Sequence, residues 1–332
     1  MNKILIIRLS SLGDVVLTQP VVEVLKDNYP HISIDYLTKP AYIEVVKAFG
    51  DIDHIYLWKD KKKVIHQLNK NRYDFIIDLH DKTNTFFIKR FVRAGRKITY
   101  RKLHWRRWLI TKKIIKSSNP LMVNLYLAVL KKVGLVKKDI FPHLQVDDAH
   151  HSKIERVLRE IGINKDHRVI GIFPGTLHQT KQYPVEKFVD FVNMVPLEWN
   201  CKFLALGSSA EKKLCCELAR KTNSKVIDLG GAFTLGELIY LISSLNAVIS
   251  GDSGPMHITA ALKIPQIAIF GATHPRLGFP PLNQAALICS TEIKCQPCSL
   301  HGQEKCPLKH FNCMNKLSPV LIKDFLREIL FQ

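Results

Sequence analysis

No run of this sequence is apolar over enough residues to cross a bilayer. A spanning helix needs roughly 18 to 20 consecutive apolar residues. The best stretch, Leu121 to Leu130, is short and carries Asn124. The opening run Ile4-Leu5-Ile6-Ile7 is cut by Arg8 and followed by Asp14, which does not fit a secretory leader. A chain without a leader is expected in the cytoplasm, where its eight cysteines favour metal binding or free thiols over structural disulfides. Repeats of solenoid period and low-complexity tracts are missing. So is a G-x-G-x-x-G turn, which removes the usual dinucleotide fingerprint. Acidic residues are few, 29 Asp and Glu against 49 Lys and Arg, for a net charge of +20.

That charge is unevenly placed. Residues 51–120 hold 19 basic and 6 acidic residues, an excess of +13. A local excess points to an anionic partner: nucleic acid, an anionic bilayer or an acidic small molecule. The 332 residues are too many for one ordinary core and suit two domains of about 150.

The hydrophobic pattern alternates short apolar runs with helical stretches. KILIIRL at 3–9, ISIDYL at 32–37, 53–57 and YDFIIDL at 73–79 read as strands. Helices are predicted near 41–49, 62–70, 82–93 and 121–134. Pro20 should kink the helical pattern that Asp14 opens, or mark its true first turn. A second series has strands near 169–173, 202–206, 225–228, 247–250 and 266–270, helices between them and a last helix at 318–331. Alternation of this kind means βαβ units and parallel sheets covered on both faces. The fold class is α/β, with a first domain at 1–155 and a second at 156–332, the last helix packing back on the first. Ligands are expected in a cleft at the C-terminal strand ends.

Four segments carry chemistry. In Arg8-Leu9-Ser10-Ser11-Leu12-Gly13-Asp14, a strand, a small polar turn and an acidic helix start put Asp14 at the edge of a central sheet. A carboxylate there serves as a general base or simply as a helix cap. In Gly251-Asp252-Ser253-Gly254-Pro255-Met256-His257, Pro255 suits a first helical turn and Ser253 or Gly254 its cap. The freed N–H groups then form an anion site suited to a diphosphate, or merely start a well-capped helix. In Phe173-Pro174-Gly175-Thr176 with Lys181, a hydroxyl and a point charge sit on a strand-end loop and suit phosphate, although a lone loop lysine is usually only solvated. Last, Cys295, Cys298, Cys306 and Cys313 form C-x2-C-x7-C-x6-C, with His301 and His310 nearby, which could close a structural zinc site.

Together these segments resemble the heptosyltransferases of lipopolysaccharide core synthesis, glycosyltransferase family nine. IIRLSSLGDVVLTQPVVEVLK looks like the family's opening, SGDSGPMHITAALKIPQIAIFG like its nucleotide-sugar segment, and CQPC, CPLKH and CM like the cysteine-rich stretch of its second-heptose branch. The resemblance implies a GT-B fold, two Rossmann-like domains facing each other across a cleft. It also implies inverting, metal-independent transfer from ADP-heptose to the lipid A-Kdo type inner core, with no cofactor. By resemblance Asp14 and Lys181 are catalytic. Thr176, Glu211, Asp252, Ser253, Gly254, Met256 and His257 bind the donor. Ser11 and the basic residues Lys61, Lys62, Lys63, Arg101, Lys102, Arg106 and Arg107 meet the acceptor, in a domain resting against the anionic inner face of the inner membrane. Two departures stand out: Leu177 replaces a hydroxyl residue common in the family, and His80-Asp81 replaces Gln-Gly or His-Gly in a loop expected to face the acceptor. The rival readings are the same scaffold with another nucleotide sugar, and a basic nucleic-acid-binding protein using Tyr100, Trp105 and Trp108.

Overall fold

The computed structural model describes residues 2–291 and 293–331. The chain forms two compact units, one of residues 1–104 and 120–145, the other of 105–119 and 146–332. Both are α/β, with all-parallel sheets.

The first unit is built on a five-stranded sheet. Its strands are β1 (Lys3–Ile7), β2 (Ser33–Thr38), β3 (His54–Leu57), β4 (Tyr73–Asp78) and β5 (Ala94–Thr99), in the order β3-β2-β1-β4-β5. Strand β1 is central because Ile4 to Ile7 are apolar on both faces, as a doubly covered parallel strand requires. Leu5, Ile7, Leu37, Ile76, Ile88 and Val92 meet in one core cluster. The expected helix after Asp14 is two helices, Leu12–Val16 and Gln19–Asn28, with Pro20 in the first turn of the second. Strand β5 escaped the sequence reading: AGRKIT is an edge strand, mostly exposed and therefore without an apolar run.

The second unit has six strands: β6 (Arg168–Phe173), β7 (Cys201–Ala205), β8 (Val226–Asp228), β9 (Ala247–Gly251), β10 (Gln266–Ile269) and β11 (Ala286–Cys289), in the order β11-β10-β9-β6-β7-β8. Strands β6 and β9 pair with Phe173 opposite Ser250, so the loops that follow both leave the same sheet edge side by side.

The division differs from the expected 155/156 boundary in two respects. Residues 146–155 belong to the second unit, where Lys153 pairs with Glu237 at 2.7 Å. Residues 105–119 also leave the first unit for the second. Their anchors are long-range: the Asn119 N–H donates to the Arg276 carbonyl and the Lys113 ammonium to the Pro297 carbonyl. The last helix, Pro319–Leu330, belongs to the second unit. Its Ile322 and Leu326 enter the second unit's own core with Phe188 and Val192.

Candidate active site

The first unit's candidate site lies where β1 ends. Strand geometry carries Arg8 and the turn Leu9–Ser11 to the C-terminal edge, and Asp14 sits in the first turn of helix Leu12–Val16. One Asp14 oxygen accepts from the Ser11 hydroxyl at 2.7 Å and the Ser11 N–H at 3.3 Å, and pairs with the Arg8 guanidinium at 2.7 Å. The other accepts from the Tyr126 hydroxyl at 3.0 Å. Burial opposes charge on Asp14, but Arg8 and the bonds from Ser11 and Tyr126 outweigh it and hold the carboxyl at about 2. Asp14 thus caps its helix and is also a fixed, ionised carboxylate at the sheet edge.

Arg8 is buried over the Tyr126 ring and also donates to the Leu79 carbonyl. Leu79 opens the turn after β4, where an Asp78 oxygen accepts from the N–H groups of His80 and Asp81 at 2.9 Å each. His80 is 4% exposed. Burial and the charges of Arg8 and Lys82 push its imidazole down to about 4, so it is neutral at neutral pH. Ser11 touches Asp14 directly, as described. Sequence reasoning missed Arg8 and Tyr126 as site residues. Arg8 was visible in the opening segment; Tyr126 arrives from 112 residues away with no local signal.

The basic candidates scatter. Lys61, Lys62 and Lys63 are exposed in the first turn of helix Lys61–Asn69, where positive charge opposes the helix dipole. Arg101 is exposed after β5, and Lys102 donates to the Asp81 carbonyl. Arg106 and Arg107 lie in the second unit, which corrects their expected place. Arg106 donates to the Ser117 hydroxyl and Ser118 carbonyl, closing its own loop. Arg107 is 3% exposed and stacks on Phe279 at 5.5 Å. Arg107 is thus held by packing, whereas Arg106 is half-buried and bonded within its own loop.

The second unit's candidate site gathers on the loops after β6, β9 and β10. Lys181 pairs with Asp252 at 3.2 Å, and the Thr273 hydroxyl donates to the same Asp252 oxygen at 2.7 Å. Thr176 donates to the His178 carbonyl. Gly251 permits this closeness: a Cβ there would lie 2.8 Å from Thr176 Cγ2 and 3.0 Å from the Lys181 carbonyl. Gly175 plays the same part for Glu211, whose carboxylate would collide with any side chain there. Glu211 accepts from the N–H and hydroxyl of Ser208 at 2.8 and 2.7 Å, which fixes it beside that loop. Ser253 stands at the N-cap position of helix Gly254–Ala261, with Pro255 in the first turn, but its hydroxyl donates to the Gly251 carbonyl at 3.2 Å and not to a helix N–H. His257 is buried and edge-on to Phe279. Met256 is a correction: its side chain is fully buried against Ala268 and Phe270, leaving only its backbone N–H for a ligand.

The four clustered cysteines are all free thiols. Cys295 Sγ lies 3.9 Å from His310 Nε2. Burial raises the Cys298 thiol and pushes Cys313 up to about 12, which makes both poor nucleophiles. Among the described residues, no three His, Cys, Asp or Glu side chains are grouped to hold a metal ion; of the two readings of this segment, zinc site or free thiols, the geometry has the thiols.

The profile of glycosyltransferase family 9 (heptosyltransferase) matches residues 61–310, about three quarters of the chain. The chain belongs to glycosyltransferase family 9. Lipopolysaccharide heptosyltransferase 3 of Escherichia coli K12 is 31% identical over 280 residues, covering 79% of this chain and 80% of that one. Lipooligosaccharide heptosyltransferase 2 of Haemophilus ducreyi is 28% identical, with 86% and 88% covered. Among solved structures, the E. coli ADP-heptose LPS heptosyltransferase II superposes with a TM-score of 0.79 at 20% identity, covering 99% of both chains. A family 9 glycosyltransferase from Veillonella parvula reaches 0.84 at 20% identity, covering 99% of this chain and 97% of that one. The fold of this family 9 glycosyltransferase is therefore GT-B, as its two parallel sheets already suggest. Among the described residues no helix is long and apolar enough to cross a membrane.

Proposed function

We propose that this glycosyltransferase transfers heptose from ADP-heptose to the inner core of lipopolysaccharide, with inversion and without a catalytic metal. Family membership supports the transfer, and the names of the relatives support donor and acceptor. The observation that carries the mechanism is Asp14, an ionised carboxylate fixed at the end of the central strand. A carboxyl held near 2 is a weak base, but it needs only to be ionised and in reach. As the new C–O bond forms, the acceptor oxygen gains positive charge and its proton becomes far more acidic than a carboxylic acid. Asp14 then takes that proton while the anomeric carbon inverts.

Leaving ADP gathers negative charge on its diphosphate. Lys181, Thr176 and the first-turn N–H groups of helix Gly254–Ala261 are the groups to receive it, in a role a metal ion plays elsewhere. Glu211 beside Gly175 is assigned to the donor ribose, and His257 to the departing phosphate. The exposed Lys61, Lys62, Lys63 and Arg101 are assigned to the acidic acceptor, and the protein works at an anionic membrane face. The nucleic-acid reading loses ground because, in its basic stretch, Arg107 is buried against Phe279 and Arg106 is bonded within its own loop.

The test is turnover: purified protein, ADP-heptose and lipopolysaccharide truncated before each heptose, with product mass and anomeric configuration read out. Transfer with inversion in the presence of a chelator is expected. Absence of transfer to every truncated acceptor, or retained configuration, would overturn the reading.

A further inference from the structure

Helix Thr83–Phe91 of the first unit carries apolar side chains on its outward as well as its inward face. Its inward face is ordinary: Thr85 and Ile88 are buried, and Val92 follows them into the core. Its outward face carries Phe86, Phe87 and Phe91, exposed by 63%, 51% and 55%. A surface helix normally turns polar residues outward, and three large aromatic rings on nine residues make an apolar patch that calls for a partner. The flanks are basic. Residues 82–97 hold six basic and no acidic residues. Of these, Lys89 is spent on Asp78 at 2.8 Å, while Lys82, Arg90, Arg93, Arg96 and Lys97 are exposed.

We propose that this helix is the membrane-seating element of the protein, its three phenylalanines entering the interface of an anionic bilayer and its cations meeting the headgroups. The combination decides the occupant. Rings on the outward face of a helix bury well at the boundary of headgroups and acyl chains, and flanking Lys and Arg without carboxylates match an anionic surface. The inference rests on the proposal of a membrane-held acceptor and adds where the protein touches. The position suits that task. The helix starts directly after the turn at Leu79, whose carbonyl binds Arg8, the partner of Asp14, and Lys89 ties it to Asp78 at the base of the same turn. A bilayer met by the start of this helix, where Phe86 and Phe87 lie, would bring a lipid-anchored acceptor near the sheet edge that carries Asp14, while Phe91 extends the contact along the unit's flank.

The test is flotation of the full chain with vesicles of phosphatidylcholine containing phosphatidylglycerol, and with phosphatidylcholine alone, neither holding acceptor. Binding to the anionic vesicles alone is expected. The triple variant Phe86→Ser, Phe87→Ser, Phe91→Ser should lower it at least about tenfold, from the apolar area withdrawn. Leu197→Ser, at a position 90% exposed in the second unit, should leave it unchanged. The same triple variant, with an unchanged melting temperature, should transfer heptose to a soluble deacylated acceptor at the wild-type rate. Equal vesicle binding by variant and wild type overturns the inference, as does lost turnover on the soluble acceptor, which would make the helix part of the site. Wild-type turnover without any vesicle binding sinks the membrane seat but leaves the transferase reading intact. Vesicle binding without turnover on any acceptor does the reverse.

Discussion

Two carboxylates stand at the C-terminal ends of central strands, Asp14 after β1 and Asp252 after β9, and each is tied to one cation. Their settings differ. Asp14 meets a guanidinium that comes from its own strand end, is buried, and stays charged at any working pH. Ser11 and Tyr126 complete a ring of donors, so this carboxylate is ionised and immobile. Asp252 meets an ammonium from a different loop, a point charge on a flexible stem. The Thr273 hydroxyl donates to the same Asp252 oxygen. Equivalent places on two parallel sheets thus hold one carboxylate on a buried guanidinium with two further donors, and the other on a loop ammonium with one. What reaches the carboxylate from other elements decides between them.

The sharpest way to break that comparison is Asp14→Asn. Transfer should fall at least about a hundredfold, the usual size of a general-base contribution. Because Arg8 loses its counter-charge, the variant should also be less stable by about 2 kcal/mol, as the shift of Asp14 from 3.8 to about 2 implies. Near-wild-type turnover in a folded variant would reduce Asp14 to a helix cap.

Lys181→Ala should come next, with turnover down roughly tenfold to a hundredfold and acceptor affinity unchanged, because its charge acts on the leaving diphosphate. An unchanged turnover number would leave the Lys181–Asp252 pair a purely structural one.

The basic residues allow a smaller test of the same contrast between offered and consumed charge. Changing Lys61, Lys62 and Lys63 to Gln should raise the acceptor Michaelis constant severalfold and leave that of the donor alone. Raised salt should mimic it, since exposed charges are screened within about 8–10 Å. Arg107→Met should instead lower the melting temperature with little change in acceptor Michaelis constant, because Arg107 is buried on Phe279. The opposite pattern would reverse the assignment of these residues.

A last test reads stability against pH and leaves turnover aside. His80 binds its proton less readily folded, at about 4, than unfolded, at 6.5. Its contribution is fully present above 6.5 and is lost as pH falls toward 4. Asp14, lowered from 3.8 to about 2, contributes above 3.8 and loses that contribution as pH falls toward 2. Chemical denaturation from pH 7 to 3 should show the first loss in wild type and not in His80→Asn. Identical curves would contradict the buried, neutral His80.

Much of this protein was fixed by local sequence. The apolar runs from Lys3 to Leu9 and from Val169 to Phe173 are buried strands because only a doubly covered parallel sheet hides so many consecutive apolar residues. Pro20 and Pro255 each marked a helix start, since proline acts through its own backbone limits. Where the missed parts lie is equally physical. Strand β5 is an edge strand whose Gly95, Arg96 and Lys97 are exposed and leave no apolar run, and β11 is an edge strand of only four residues, a run too short to mark a strand by itself.

Tertiary structure alone decided the rest. No spacing told that Tyr126 would complete the ring around Asp14, that Met256 would turn into the core, or that residues 105–119 would desert their neighbours in the chain. Each depends on contacts between residues far apart in sequence, and a residue's type does not say which distant surface will bury it. The same holds for charge. The sequence counts the lysines and arginines, but only packing separates Arg107, stacked on Phe279, from Lys61 in open solvent. It also put three phenylalanines on the outside of one helix, where composition would have placed them within.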